Sequence, residues 1–516
     1  MNRRCRSRTR VATRIATVLS LAVLSALSLS CGSTSGTSLP PPPPPPSPLT
    51  ATDVQQVVEN AAQSLNVPMV IAVADRAGKI LAVFQNAGAP PTSSGNFRVT
   101  VDSKELAVAL ARTAAMFSND QAPLSSRTVR FISGVHFPPG VDNAANGDLY
   151  GIENTNRGCP LNTTFLPGQN IDPARSIDGL NLGLGIITGK ADFTDGDPAA
   201  VNPGGVPLFK NGHAVGGVGV VSTTLDAAEF AAYTGAHQSG LLPDPSQLPP
   251  PGVVIIGGIA LPFVNQTTPP NGIEPGTPAG TYLVGPANGS LPPEGDLVGP
   301  LAGASGLTMS DVTTIINQAV STAELTRAVI RLPPSSRTKM TIAVTDLDGT
   351  ILGLHRMPDA TVFSIDVAVA KARNVIYLSG PAGTPDLPGI PAGTAVSNRT
   401  IGFGAQPFFP PGINDSSPGP FFNLYTFDVA NPCTQGSQPA NPHQNGIVFF
   451  PGSVPLYKNG VLVGGMGVSG DGVDQDDYVT NAGAKGFDAP ENIRADQVTI
   501  DGVRMPYLKF PRNPTQ

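Results

Sequence analysis

The stretch GSVPLYKNGVLVGGMGVSG, residues 452–470, nearly repeats GGVPLFKNGHAVGGVGVVS, residues 204–222. In each copy a short strand runs into Asn-Gly and returns as a second strand. Asn-Gly is the strongest short-range hairpin signal, because both central residues of a type I′ turn take positive φ. The return strand of the second copy carries Gly464, Gly465 and Gly467. Glycine weakens a strand, so three together imply close approach of another backbone or of a flat ligand. They are candidate cofactor-binding positions, with tight packing of a helix or a second domain as the plainer reading.

The doubling extends outward from the hairpin. LTATDVQQVVENAAQS from Leu49 matches LTMSDVTTIINQAVST from Leu307, each with helical spacing and a Thr-x-x-Asp cap at Thr50 or Thr308. MVIAVADRAGKILAV from Met69 matches MTIAVTDLDGTILGL from Met340, each reading as strand, tight turn, strand. AVALARTAAMFS from Ala107 matches AVAKARNVIYLS from Ala368, a second helix, and SSRTVRFISGVHFPPG (125–140) matches SNRTIGFGAQPFFPPG (397–412). VVIIGGIALPF (253–263) and QVTIDGVRMPY (497–507) close the two halves as strands. The order predicts two tandem α+β domains, residues 49–266 and 305–511, each a small antiparallel sheet flanked by helices. Residues 267–304, rich in Pro and Gly, read as a linker, and 512–516 as a tail. Gly, Pro and Asn dominate two long insertions, about 141–200 and 413–450, which are expected to serve as lids or binding surfaces.

Ahead of the first repeat, residues 1–30 combine six Arg with an apolar run, the pattern of an export signal. Cys31 follows small residues and is a candidate lipidation site. Residues 31–48 continue as a Gly/Ser segment and seven prolines, a polyproline II spacer of roughly 20 Å at ~3.1 Å per residue. The expected location is the periplasm or the outer face of the cell envelope, with the membrane reached only through the lipid. Losing the leader would take the formal net charge from −6 to −12, which argues against nucleic acid as a partner. The apolar run 252–264 is too short to span a bilayer.

The segment 452–483 resembles the GlcG/HbpS-like haem-binding family. The resemblance rests on Gly452, Pro455, Gly460, Gly464, Gly467 to Gly470, the acidic helix start Asp474 to Asp477, and Ala482-Gly483. The IAVTDLDGTIL hairpin and the AVAKA helix are similar to the family's first half. The resemblance implies a profilin-like α/β fold, self-associating single-domain relatives, and haem or another tetrapyrrole as ligand, in sensing, scavenging or storage. Two fused copies then form a covalent pseudo-dimer. An alternative is a small-molecule enzyme, tautomerase- or hydrolase-like on organic acids; another is a non-catalytic surface scaffold.

The copies differ where chemistry is expected. The second has Lys371 and Asp476; the first has Leu110 and Ala228 at the matching places. Lys371 and Asp476 are the candidate catalytic pair, with an ion pair or a helix cap as the plainer reading. Asp474, Asp476 and Asp477 form a weak candidate metal cluster. None of the five histidines has metal-ligand spacing, and His355 is the candidate haem ligand. VTDLDGTIL (344–352) mimics a phosphatase nucleophile motif, but the other copy, VADRAGKIL, lacks the second acid, so an Asp-x-x-Gly turn explains both. Cys159 and Cys433 occupy equivalent places and are expected to pair if both lie near the pseudo-twofold axis, with Cα atoms within about 7 Å.

Overall fold

A computed structural model describes residues 44–516, apart from 145–146, 162–175, 179–180, 244–252 and 257. The expected leader and Cys31 lie outside the described residues. Residues 44–516 form one compact unit. Its first half runs α1 (Ala51–Ser64), β1 (Met69–Asp75), β2 (Ile80–Gln85), α2 (Ser103–Phe117), α3 (Ser126–Ile132), β3 (Gly205–Lys210), β4 (His213–Ser222) and α4 (Leu225–Gln238). Then come β5 (Thr281–Val284) and β6 (Gly295–Val298). The second half runs α5 (Met309–Ala323), β7 (Thr341–Thr345), β8 (Ile351–Arg356), α6 (Ser364–Ser379), α7 (Asn398–Gly404), α8 (Phe422–Ala430), β9 (Ser453–Lys458), β10 (Val461–Ser469) and α9 (Val473–Gly483).

Each half builds a five-stranded antiparallel sheet, in the orders β3-β4-β1-β2-β5 and β6-β8-β7-β10-β9. Both hairpins turn as their sequence requires: Asn211 and Gly212, and Asn459 and Gly460, all have positive φ. The central strands β1 and β7 are buried along their whole length, because helices cover the sheet. The capping boxes close with Thr50 N–H donating to Asp53 at 2.8 Å and Thr308 N–H to Asp311 at 2.7 Å. The hairpin lysines explain themselves here: Lys210 reaches Asp53 at 2.7 Å and Lys458 reaches Asp311 at 2.9 Å, tying each hairpin to the first helix of its half.

Two expectations need correction. Residues 267–304 are more than a linker, because β5 completes the first sheet and β6 the second. The Asp-x-x-Gly turns strap this stretch down. Asp75 accepts from Ser290 N–H at 3.0 Å, and Asp346 accepts from Ala304 N–H at 2.6 Å. Composition concealed the strands because the segment lacks a long apolar run. Nor do 253–263 and 497–507 join the main sheets as single closing strands. Each is a separate two-stranded hairpin, Val253–Ile256 with Ile259–Pro262 and Thr499–Ile500 with Val503–Arg504.

The halves pack face to face. Phe117 and Phe363 stack with ring centroids 4.0 Å apart, and Val362 N–H donates to Met116 O at 3.0 Å. Arg76 of the first half and Arg331 of the second both hold Asp359, each at 2.6 Å, and Arg331 also pairs with buried Asp471. The insertions clasp each other. Cys159 is bonded to Cys433 with Cα atoms 5.5 Å apart. Beside the disulfide, Asn154 and Arg157 donate to Asp428 at 3.0 and 3.2 Å, and Tyr150 meets Tyr425 at 4.9 Å. Burial pushes the Asp428 carboxyl up to about 6, against the lowering effect of Arg157.

Candidate functional site

A cavity of about 400 Å³ lies between the halves. Phe117, Leu124 and Ile132 come from the first half, and Phe363, Phe450 and Val329 from the second. The first turn of α9, Val473 to Asp476, forms one wall, and Arg327 and Arg512 stand in the lining. Among the described residues no carboxylate pairs with either arginine. The volume falls within the usual range of small-molecule sites, about 300–1,000 Å³. Apolar walls with a few charged groups are the ordinary makeup of such a site.

The Lys371–Asp476 pair is built into that wall. Lys371 projects from α6, fully buried, and donates to Val468 O at 2.8 Å and to Asp476 Oδ2 at 3.0 Å. The Phe450 ring lies 5.0 Å from its Nζ, a cation–π contact. Gly452, with φ +118°, makes room: a Cβ there would lie 2.8 Å from Lys371 Nζ and 2.7 Å from Asp476 Cβ. Asp476 Oδ1 has no hydrogen-bond partner among the described residues. Burial is the first cause of its carboxyl rising to about 7, with Lys371 opposing. Burial likewise lowers the Lys371 ammonium, with Asp476 opposing.

The other carboxylates of the acidic helix start are neutralised in place. Asp474 meets Arg399 at 2.7 Å and Lys509 at 3.0 Å, and Asp477 pairs with Arg399. The weak metal expectation for Asp474, Asp476 and Asp477 is therefore corrected: each faces a cation, and no metal-type cluster occurs among the described residues. Nor does either Asp474 or Asp476 cap α9; Gly472 holds the cap position with no side-chain bond.

Gly464, Gly465 and Gly467 do not line the cavity. A Cβ at Gly465 would lie 2.2 Å from Ala372 O, at Gly467 2.1 Å from Ala368 O, and at Gly464 2.5 Å from Thr345 O. Gly465 and Gly467 thus let α6 seat directly on β10, and Gly217 and Gly219 do the same for α2, at 2.2 Å from Ala111 O and 2.0 Å from Ala107 O. Their cofactor-binding assignment is corrected to backbone packing.

His355 is also corrected. It sits on β8 away from the cavity lining, and its Nδ1 is 2.7 Å from Asp296 of β6. The side chains that ligate haem iron are His, Cys, Met and Tyr. None of them lines this cavity. The lining sets Arg327 and Arg512 together with Asp148 and Asp474 among apolar walls and offers no His, Cys, Met or Tyr for an axial metal bond.

Arg327 and Arg512 escaped the sequence reading because both lie outside the repeated segments. The pairing of Phe117 with Phe363 escaped it because no pattern in one half indicates what it meets in the other.

A family model described as haem degrading protein HbpS-like matches residues 307–485. Three solved structures are similar to part of the chain. A PduOC–haem complex is 21% identical with a TM-score of 0.24, covering 36% of this chain and 97% of that one. Klebsiella pneumoniae protein ORFY is 20% identical with a TM-score of 0.24, covering 37% and 99%. A double Glu-to-Asp mutant of Streptomyces reticuli HbpS is 20% identical with a TM-score of 0.23, covering 36% and 91%. A comparison with curated proteins gave no match. The match to the HbpS-like model lies wholly in the second half, and the first half has no match of its own to that model.

Proposed function

We propose that this chain is an exported tetrapyrrole-binding protein, a fused pseudo-dimer whose first half is a diverged copy of the second. The observation that carries the ligand reading is the cavity between the halves: apolar and aromatic walls for a flat macrocycle, and Arg327 and Arg512 for its carboxylates. The HbpS-like match of the second half supports the same ligand class. Export rests on the Arg-rich, apolar leader and Cys31. A disulfide between the insertions is consistent with an oxidising compartment.

With no His, Cys, Met or Tyr in the lining, binding rests on the macrocycle and its acids and not on the iron. Titration with hemin and with iron-free protoporphyrin IX tests this. Both are expected to bind with affinities within about tenfold, and Arg512→Gln weakens both. Absence of a spectral change with either ligand at micromolar concentration overturns the reading. Binding of hemin alone shows that an iron ligand was missed.

A further inference from the structure

We propose that Asp476 and Lys371 make the cavity between the halves a proton-transfer site that enolises apolar-tailed 2-oxo acids. The inference stands independently of the tetrapyrrole reading.

Four observations converge. Asp476 is nine-tenths or more buried and lines the cavity, with Oδ2 committed to Lys371 and Oδ1 without a partner among the described residues. Lys371 is immobilised by Val468 O, Asp476 and the Phe450 ring, so it fixes the carboxylate through Oδ2 and leaves the buried Oδ1 without a protein partner among the described residues. Arg327 and Arg512 offer cations to a substrate carboxylate, and Phe117, Phe363 and Phe450 offer walls to an apolar tail. The first turn of α9 lines the same space, and its N-cap, Gly472, makes no side-chain cap bond to the first N–H groups of the helix. Burial raises Asp476 to about 7, which suits a base that must both take and return a proton near neutrality.

The step balances without a co-reactant. Asp476 Oδ1 takes a proton from C3, beside the 2-oxo group. The C–H bond breaks, an O–H bond forms on Asp476, and the electron pair moves through C2 to the carbonyl oxygen as an enolate. Returning the proton to that oxygen gives the enol, and returning it to C3 completes an exchange. Asp476 is the catalytic residue; Lys371, which touches only Asp476 and its surroundings, is a positioning residue.

The test follows loss of the C3 proton signal of phenylpyruvate in D₂O by NMR, from pH 5 to 9. The full chain is expected to accelerate exchange at least tenfold over buffer, with the rate rising through about pH 7. The charged groups around the pair are Lys371 from α6, Asp477 on α9, Asp471 before it and Arg399 from α7. Asp476→Asn should abolish the acceleration. Lys371→Met should move the rise to higher pH, because burial then acts on Asp476 unopposed; a purely structural lysine would lower the rate without moving the profile. The double variant Lys371→Leu with Asp476→Ala copies the first half's own residues and guards against misfolding. It should fold and lose exchange. In the wild-type chain, porphyrin binding without exchange overturns this proposal alone, and exchange without porphyrin binding overturns the tetrapyrrole reading alone. No exchange above buffer with the folded wild-type chain, or wild-type exchange by Asp476→Asn, overturns the proposal.

Discussion

Lys371 Nζ stands 3.0 Å from Asp476 Oδ2 inside the second half, and Leu110 and Ala228 hold the matching places in the first. The pair is thus present in one half and replaced as a unit in the other. That is how buried charges must change, because removing one partner strands the other in a low-dielectric interior. Lys371→Leu alone is expected to cost about 3–5 kcal/mol at pH 8, and adding Asp476→Ala should recover most of that loss. Urea denaturation of the two variants beside the wild type checks it. A double variant no more stable than the single one contradicts it.

Asp476 also shapes the dependence of stability on pH. Its folded carboxyl is raised to about 7 from an ordinary 3.8, chiefly by burial. Between those values the folded chain binds more protons than the unfolded one, so stability falls as pH rises. The contribution is fully present below the unfolded pKa and is lost as pH passes through about 7. Asp476→Asn should therefore flatten the decline in the urea midpoint between pH 4.5 and 7.5. Asp428, raised to about 6, leaves a residual slope of the same sign.

The glycines of the return strands answer to helix packing. Gly467→Ala puts a Cβ 2.1 Å from Ala368 O and 2.7 Å from Ala372 N, both backbone atoms of α6. Backbone cannot swing aside as a side chain can, so a loss of about 3 kcal/mol or more is expected, at or above the upper end of overpacking costs. Gly299→Ala, where nothing lies within 4 Å and φ is not positive, should stay within about 0.5 kcal/mol. Thermal unfolding of the two variants is the comparison.

Cys159–Cys433 closes a loop of 274 residues. Cross-links across long loops restrict the unfolded chain most, and Cys159→Ser with Cys433→Ser should cost about 2–5 kcal/mol. Free-thiol titration of the oxidised wild-type protein should find neither cysteine reactive. Equal denaturation midpoints with and without the bridge would show that the surrounding clasp of Arg157, Asn154 and Asp428 suffices.

Much of the fold was legible because it is local chemistry written twice. Asn-Gly requires positive φ, Thr-x-x-Asp closes a cap, and Asp-x-x-Gly turns a hairpin, each within a few residues. The difference between Lys371 and Leu110 was visible for the same reason, by alignment of the halves. The sequence by itself determined two matching sets of helices and strands, and which half carries the buried charge. The tertiary structure decided the rest. It alone showed that 281–284 and 295–298 complete the sheets, since a short edge strand is specified by the partner it meets. It alone removed His355 and the glycines from the site, because orientation on a strand does not fix distance from a cavity. And it alone set Phe117 against Phe363, with Arg327, Arg512 and Asp476 in the lining of one cavity, because a cavity between two halves belongs to neither repeat and leaves no period in the chain.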